Sequence, residues 1–379
     1  MRVLQADVRE VAWERARELA HEAPVPLAPR LVSLAEAAGL TLAADLCART
    51  PLPAFDTSAM DGYAVSGPGP WQVAGRVRAG EHGTDLRPGE AVEISTGAQV
   101  PAGATAVLPV EDATVEGSVV SGLAGRHIRR TGEDCVAGAV LAAAGTRAGP
   151  ALLGLAATAG HDELLVRPRP RVHVLVTGSE LVHHGTSGNG HVRDALGPML
   201  PSLITSLGAE LAGLAHVLDE PGLLAEALAG VTADVVVVTG STSVGTTDQL
   251  RDLVDASGRW VVDTVACKPG HPQLVAELGG RWLVGLPGNP FAALVAAHTV
   301  LDSVLRGLTG APLPALPLVP VTGDVRAPVQ GVRIVPVTWD GRVLAGHRAA
   351  FLGGAAGGDA LAILPAGWRS GDPAPLLGL

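Results

Sequence analysis

The sequence predicts a multidomain α/β plus β protein: an α/β domain with a parallel-rich sheet, an inserted small β domain, a helical N-terminal linker domain and a C-terminal β domain. Its 379 residues suffice for two to four domains, each with its own core. Buried strands alternate with helices in the second half of the chain, which is typical of a parallel sheet. The 49 glycines and 29 prolines indicate many turns. Short β-type runs cluster both before and after the region in which strands alternate with helices.

The N-terminal part is predicted to be helical. VREVAWERARELAHEA has the apolar spacing of an amphipathic helix, and LVSLAEAAGLTLAADL follows a proline break. The helical spacing returns in ALLGLAATAG, at 151–160. We therefore assign residues 1–50 and 138–168 to one helical linker domain.

Residues 51–137 are predicted to form the inserted β domain. The runs WQVAGRVRAG, AVEIST and TAVLPVEDATV are short, β-type and bounded by Gly and Pro. Short β-type runs occur again in GVRIVPVTW and ALAILP, near the C-terminus. Residues 309–379 are therefore predicted to form a C-terminal, β-barrel-like domain.

Residues 169–308 are predicted to form the α/β domain. RVHVLVTGSE, DVVVVTGSTSVGTTD and WLVGLPGNP each read as a buried strand followed by a loop, with a helix after it. Ligands of such sheets bind beyond the carboxyl ends of the strands. These loops contain neither GxGxxG nor a P-loop, so they predict a backbone cradle for phosphate rather than a dinucleotide or nucleotide-hydrolase site. Ordinary tight turns are the alternative.

Composition excludes several functional classes. The formal net charge of −10 argues against a nucleic-acid binder and against a protein of the anionic membrane surface. The charged N-terminal segment lacks the apolar stretch of a secretory signal, and no apolar run approaches the roughly 20 residues that span a bilayer. Cys47, Cys135 and Cys267 are widely separated and odd in number, which favours a reducing cytoplasm.

Acidic residues collect at predicted loops. They are Asp61, Asp134, Glu180, Asp194 and Asp248. A hard cation such as Mg²⁺ binds carboxylate oxygens together with a substrate phosphate. Each residue taken alone fits a turn or helix cap equally well. Three of the five lie beside strand-end loops, which favours the metal.

One cation stands out from the composition. Lysine and arginine together number 27, and Lys268 is the only lysine, which leaves 27 − 1 = 26 arginines. A chain that prefers arginine but keeps one lysine suggests a site that needs a compact charge, although chance survival explains it equally well. The other cations on loops near the predicted site are His271, Arg129 and Arg130.

Six motifs follow one another between residues 1 and 308. They are PLPAFDTSAMDGYAV, ISTGAQVPAGATAVLPVED, IRRTGEDCVAGAVLAAAGT, VLVTGSELV, KPGHP and GLPGNP. In content and order they resemble the molybdopterin molybdenumtransferases, the family of MoeA-type proteins and the gephyrin E domain. The resemblance implies that the α/β domain is of the MoaB/MogA type and binds molybdopterin.

The resemblance also implies an activity. Family members cleave adenylylated molybdopterin with a divalent metal, insert molybdate at the dithiolene sulfurs, and release AMP. By this likeness Asp61, Asp134, Asp248 and Lys268 are catalytic, and Glu180, Asp194 and Asp248 bind Mg²⁺. The residues assigned to the substrate are Ser58, Thr96, Gly240, Ser241, Ser243, Gly245, His271, Pro287 and Asn289.

Some positions depart from the family pattern. His271 replaces a second lysine, Ser241 replaces a glycine, and Ala195 lies where the family has a polar residue. In the C-terminal domain Arg333 is the one candidate for the family's arginine. These departures leave an alternative open, a catalytically weak paralogue that binds molybdopterin or acts as a scaffold.

The resemblance further implies a homodimer. The candidate residues divide between the β domain and the α/β domain, so we expect one site to draw on both subunits; a compact monomer is the alternative. The implied partners are adenylylated molybdopterin and molybdate, with molybdopterin adenylyltransferase and cofactor-accepting enzymes beyond them.

Overall fold

A computed structural model describes residues 10–240 and 249–379. The chain divides into two compact units. The first comprises Met1–Arg30, Gly39–Ala43 and Val166–Leu379, and the second comprises Leu31–Ala38 and Ala44–Leu165. Residues 51–137, predicted as the inserted β domain, therefore lie wholly in the second unit. The finer division into four parts stays a prediction.

The helices and strands follow in chain order. The α-helices are α1 (Trp13–Glu22), α2 (Pro150–Thr158), α3 (Leu196–Ser206), α4 (Leu223–Ala229), α5 (Gln249–Ser257), α6 (Pro290–Ala296), α7 (Asp302–Thr309) and α8 (Gly353–Ala356). The strands of the first half are β1 (Arg30–Ser33), β2 (Thr41–Leu42), β3 (Leu46–Cys47), β4 (Thr57–Ser58), β5 (Gly62–Val65), β6 (Trp71–Val77), β7 (Glu90–Ile94), β8 (Ala106–Pro109), β9 (Ala113–Glu116), β10 (Val119–Gly122), β11 (Ile128–Arg129), β12 (Val140–Ala142) and β13 (Glu163–Arg167). Those of the second half are β14 (Arg171–Thr177), β15 (Leu181–Val182), β16 (Val192–Arg193), β17 (Glu210–Val217), β18 (Val235–Thr239), β19 (Arg259–Val262), β20 (Cys267–Lys268), β21 (Leu274–Leu278), β22 (Arg281–Leu286), β23 (Leu318–Pro320), β24 (Val332–Val337), β25 (Ala360–Pro365) and β26 (Pro373–Gly378).

The helical prediction for residues 1–50 is correct for α1 and wrong after it. The second predicted helix is replaced by β1, a turn, β2 and β3. In the turn the carboxylate of Glu36 accepts hydrogen bonds from the N–H and the hydroxyl of Ser33, and the Ala37 N–H donates to the Ser33 carbonyl (2.9 Å). This begins a helix as a capping box does. It stops within one turn because Gly39 has φ +76°, a left-handed conformation that ends helices.

A six-stranded sheet organises the first unit, in the order β17-β14-β18-β22-β21-β19. The first four strands are parallel, as the alternation of strands and helices predicted. The edge departs from that prediction, because β21 runs antiparallel to both β22 and β19. Gly279 and Gly280 alone separate β21 from β22, and both have positive φ. That two-residue turn makes a hairpin, so no crossover is possible there.

Two layers of apolar side chains cover this sheet. In β18, Val235 and Val237 pack into one core while Val236 and Val238 pack into the other. Helices supply the covering residues on both sides, among them α1, α3 and α6 on one face and α4 and α5 on the other. Burial on both faces explains why β18 reads as an uninterrupted valine run.

One helical run corrects the expectation that no apolar stretch reaches membrane-spanning length. This run, Pro290–Thr309, consists of α6, a π-helical turn at Ala297–Leu301 and α7. Its length and composition would allow it to cross a membrane. However, 89% of its most apolar window is buried inside the protein. Its apolar surface therefore serves as packing surface for the core.

The C-terminal segment contributes a five-stranded sheet in the order β20-β24-β25-β26-β23. Its β character matches the prediction for residues 309–379. The order has two ends, β20 and β23, but bridges of Thr322 with Arg342 and of Val337 with Val343 link the chain beyond β23 back to β24. The barrel-like form of this domain stays a prediction. Strand β20 comes from residues 267–268, ahead of that segment, and pairs in parallel with β24.

The second unit is built on a six-stranded sheet in the order β8-β5-β7-β6-β10-β9. All of its pairings are antiparallel except that of β6 with β7. Alternate residues of β5 separate its two faces: Ala64 belongs to one core cluster and Val65 to the other. The predicted helix at 151–160 is observed as α2, with Pro150 at its first turn.

Candidate functional site

Three loops meet at the carboxyl edge of the parallel strands, as the sequence predicted for a ligand site. The Gly240 N–H, just after β18, donates to the carbonyl of Leu286 at the end of β22 (3.1 Å). A Cβ on Gly240 would lie 2.8 Å from the Thr177 hydroxyl, and one on Gly288 would lie 3.5 Å from the Gly240 Cα. Gly240 has φ +89°, which a glycine adopts without strain. The loops after β14, β18 and β22 are therefore in direct contact.

The other predicted residues of these loops differ in accessibility. Asn289 is the N-cap residue of α6, but its side chain makes no capping hydrogen bond and is exposed. Pro287 is buried. Four predicted site residues, Ser241, Ser243, Gly245 and Asp248, lie outside the described residues.

Asp194 lies at the start of α3 and has two histidine neighbours that the sequence did not indicate. Its Oδ1 accepts hydrogen bonds from the N–H groups of Leu196 and Gly197, both 2.9 Å. Its Oδ2 lies 3.0 Å from His216 Nε2 and 3.7 Å from His183 Nδ1. Burial alone raises the pKa of Asp194, but the hydrogen bonds from Gly197, His216 and Leu196 outweigh it. The pKa of Asp194 is therefore below its usual value, and the carboxylate is held ionised.

Glu180 lies on the loop between β14 and β15. Its side chain is exposed, and its carbonyl accepts a hydrogen bond from the N–H of Val192 (2.9 Å). The carboxylate is thus accessible to a solvated ligand at the same edge of the sheet. The metal-binding role predicted for Glu180 stays a prediction.

Lys268 lies beside an arginine that the sequence identified only by resemblance. Strand β20 pairs with β24 so that Lys268 is the register partner of Arg333. Both residues line a cleft of about 760 Å³, together with Glu10, Asp324, Arg326 and His347. That volume is within the range of about 300–1,000 Å³ typical of ligand pockets. Three cations and two carboxylates line the cleft of a protein whose net charge is negative.

An imidazole contacts one cation of this pair. Arg333 Nη2 and His347 Nδ1 are 3.2 Å apart.

Cys267, next to Lys268, is buried, and burial raises the pKa of its thiol to about 12. That thiol is therefore protonated and unreactive at neutral pH. His271 is exposed, and its Nε2 lies 3.7 Å from a carboxylate oxygen of Glu10.

In the second unit two predicted residues are in contact. The Thr96 N–H donates to Asp61 Oδ1 at 2.7 Å, and both side chains are exposed. Ser58 is buried instead, and its hydroxyl donates to the Met60 carbonyl (2.6 Å). Its side chain is therefore engaged in the local turn. Asp134 has an exposed side chain, and its N–H donates to the Leu52 carbonyl (2.9 Å).

One predicted cation of this unit is already paired. Arg130 Nη1 lies 2.5 Å from Asp56 Oδ2. A hydrogen bond from the Thr131 N–H, assisted by Arg130, holds the pKa of Asp56 below its usual range. Arg129 has an exposed side chain on β11. An anion at Arg130 would therefore have to compete with Asp56.

Sequence reasoning missed His183, His216, His347 and Asp56. The first two are separated by 33 positions and meet only because β15, β16 and β17 end near one another. Asp56 lies inside the quoted PLPAFDTSAMDGYAV motif, so its position gave a usable signal. No comparable signal marks His347.

Two family models match the chain. The MoeA N-terminal region (domain I and II) matches residues 11–160, and a probable molybdopterin binding domain matches residues 173–307. Together these matches include the six motifs on which the resemblance rests. The predicted resemblance is confirmed.

Curated relatives and solved structures agree. Molybdopterin molybdenumtransferase 2 of Mycobacterium tuberculosis (strain ATCC 25618 / H37Rv) is 39% identical over 76% of this chain and 77% of its own. Molybdopterin molybdenumtransferase of Synechococcus elongatus is 34% identical over 82% and 83%. The crystal structure of the molybdopterin biosynthesis MoeA protein from Pyrococcus horikoshii has a TM-score of 0.76 at 25% identity, covering 97% of this chain and 99% of that one. Fold, relatives and motifs lead to one conclusion: the chain belongs to the molybdopterin molybdenumtransferases, which are transferases of molybdenum cofactor biosynthesis.

Proposed function

We propose that this protein inserts molybdate into adenylylated molybdopterin and releases AMP. Water cleaves the phosphoanhydride, which leaves AMP and the phosphate of the pterin. The two dithiolene sulfurs then replace two oxygen ligands of molybdate, and those oxygens leave as water with protons from the thiols and from solvent. Both halves of this reaction need a site that holds anions.

The cleft around Lys268 and Arg333 is the observation that carries the proposal. Strand pairing places their backbones side by side, and both residues line the same cleft, so both positive charges are available to one ligand there. The ammonium group is a compact charge with three donors, whereas the guanidinium is a planar fork. Such a pair suits a tetrahedral oxyanion, which is the shape shared by molybdate and phosphate. The cleft is also large enough for part of the pterin.

Other residues take supporting roles in this proposal. The loop at Gly288, which lies beside Gly240, would hold the substrate phosphates through backbone N–H groups. Asp61, whose Oδ1 is held by the Thr96 N–H, would accept a proton or orient the attacking water. Asp134, Asp248 and His271 keep the roles predicted for them.

Magnesium fits some of the predicted ligands better than others. Mg²⁺ takes oxygen ligands, usually one or two carboxylates with waters and substrate phosphates. The exposed carboxylate of Glu180 meets that requirement, and Asp248 is its proposed companion. Asp194 meets it poorly, because two backbone N–H groups and two imidazoles already surround its carboxylate. When bound, the cation would neutralise charge that develops on the phosphates.

The decisive experiment supplies the purified protein with adenylylated molybdopterin, Mg²⁺ and molybdate and measures AMP. We expect AMP release that depends on both Mg²⁺ and molybdate. Tight binding of the pterin with no AMP released would favour the alternative, a catalytically weak molybdopterin-binding or scaffold protein. Absence of pterin binding by folded protein would contradict both.

We also propose a homodimer, and mixing inactive variants tests it. Asp61 belongs to the second unit of the chain and Lys268 to the first. If one site draws on both subunits, a heterodimer of Asp61→Ala with Lys268→Ala contains one intact site. Random exchange then predicts about a quarter of wild-type activity, since half of the dimers are mixed and each mixed dimer has one working site of two.

The matched control mixes Lys268→Ala with Arg333→Ala. Both changes lie in the first unit, so no intact site can form and the mixture is expected to stay inactive. Sedimentation analysis and exchange of labelled subunits establish that mixed dimers exist. An inactive Asp61→Ala and Lys268→Ala mixture in which exchange is complete would contradict the shared site, and a monomer by sedimentation would contradict the homodimer.

We place this activity in the cytoplasm. The three cysteines are all free thiols, which is typical of proteins from reducing compartments. The proposed partners are molybdopterin adenylyltransferase, which would supply the substrate, and enzymes that accept the finished cofactor.

A further inference from the structure

His183, Asp194 and His216 come together at one edge of the first unit through strand register. Strands β15 and β16 pair in parallel, Leu181 with Val192 and Val182 with Arg193. His183 and Asp194 are the next residues along the two strands. The Asp194 N–H donates to the Val182 carbonyl (3.0 Å), which keeps them side by side. His216 comes from β17, at its carboxyl end, where the neighbouring strand β14 also ends.

The distances within this cluster match a metal site. One nitrogen of each imidazole and one carboxylate oxygen of Asp194 all lie within 4.8 Å of one another. Two of these separations are 3.0 and 3.7 Å. Ligands at about 2.0–2.2 Å from a tetrahedral zinc ion are roughly 3.3 Å apart. The ring centroids of His183 and His216 are 3.8 Å apart, so the two rings would move apart to about 5 Å for both nitrogens to face one tetrahedral ion.

The two oxygens of Asp194 have different neighbours, and this division suits coordination. Oδ1 is held by the backbone N–H groups of Leu196 and Gly197. Those bonds fix the carboxylate and direct Oδ2 towards the two histidines. A metal ligand oriented by bonds at its other oxygen is typical of protein metal sites.

Space beside the cluster is preserved by a glycine. A Cβ on Gly197 would lie 2.3 Å from Asp194 Oδ2 and 3.4 Å from His216 Nε2. Gly197 lies in the first turn of α3. The helical backbone there would accept most residue types, so only the neighbouring Asp194 and His216 side chains restrict this position to glycine. The absence of a side chain therefore leaves the space next to both donor atoms open.

We propose that His183, Asp194 and His216 bind a borderline divalent cation such as Zn²⁺ or Co²⁺. Two imidazole nitrogens and one carboxylate oxygen are the donors that these ions prefer, whereas Mg²⁺ prefers oxygen alone. Three protein ligands leave one position open for water or an anionic oxygen. The site goes beyond the proposed function, in which neither histidine has a role.

Cobalt titration of the full-length protein tests the proposal, because Co²⁺ reports its ligands in the visible spectrum. We expect one equivalent to bind with visible bands and without the near-ultraviolet bands of sulfur coordination, which separates this site from the cysteines. Removing one ligand, in His183→Ala or His216→Ala, is expected to weaken Co²⁺ binding by at least about 10-fold, the smallest loss typical when a supporting partner is removed. An excess of Mg²⁺ is expected to leave the spectrum unchanged.

Two further variants sharpen the test. His184→Ala removes the adjacent exposed histidine and is expected to bind Co²⁺ as the wild type does. Gly197→Ala keeps all three ligands but fills the space beside them, so it is expected to bind Co²⁺ more weakly. Circular dichroism establishes that each variant is folded. Absence of stoichiometric binding by the wild type, or unchanged binding by the double variant His183→Ala/His216→Ala, would overturn the proposal, and neither result bears on AMP release.

Discussion

Replacing Lys268 with alanine is expected to lower kcat/KM for molybdate-dependent AMP release by about 100- to 1,000-fold, the loss typical when one charge-stabilising donor is removed from a reaction site. Lys268 is the only lysine of the chain and lies opposite Arg333 in the wall of the cleft. Without it, the cleft loses one of its positive charges. AMP release measured over a range of molybdate concentrations separates weaker anion binding from a slower chemical step.

The arginine variant tests the geometry of the charge. Lys268→Arg keeps the positive charge but replaces a compact ammonium with a planar fork, so we expect it to recover only part of the lost activity. Arg15→Ala is the matched control, because it removes an exposed positive charge from α1, outside the cleft. Full activity of Lys268→Arg would show that charge alone suffices there and that the single lysine has no special role.

Strands that are buried on both faces were predictable because their sequence leaves little choice. Val235–Val238 is an unbroken apolar run too short for a helix of the core, and Gly240 follows one residue after it, at the end of the strand. The same reasoning identified β14 and β22. It failed for residues 31–46, where the Ser33–Glu36 capping pattern is real but Gly39 stops the helix after one turn. Local pattern predicts where a helix begins better than whether it continues.

Contacts between distant segments could not be read from the sequence. Lys268 and Arg333 are 65 positions apart and meet because β20 joins the sheet of the C-terminal segment. Likewise Asp194 was predicted as a metal ligand, but its histidine neighbours depend on the register of β15 with β16 and on where β17 ends. Register is set by the whole sheet, so no spacing along the chain records it. The residue types were predictable, and their partners were not.

The glycine next to Asp61 is expected to be necessary for the stability of the second unit. Gly62 has φ +155° and lies in β5, between β7 and β8. A Cβ there would lie 2.0 Å from the Leu108 carbonyl oxygen and 2.9 Å from the Val110 nitrogen. Both are backbone atoms of the adjoining chain, so neither can move as a side chain would. The Val110 N–H also donates to the Asp61 carbonyl (3.0 Å), which ties this close approach to the position of the candidate catalytic residue.

Gly62→Ala is therefore expected to lower the free energy of unfolding of the second unit by about 3 kcal/mol or more, at the upper end of the cost of overpacking a core. Hydrogen exchange at the amides of β5, β7 and β8 is the measurement, because it reports this sheet separately from the first unit. Gly75→Ala is the matched control: Gly75 lies in β6 of the same sheet, and a Cβ there meets nothing within 4 Å. It is expected to change stability by no more than about 0.5 kcal/mol, as surface substitutions usually do. Equal protection in the two variants would contradict the steric argument. Loss of protection in Gly62→Ala alone would show that this sheet depends on the close backbone approach next to Asp61, for which only glycine leaves room.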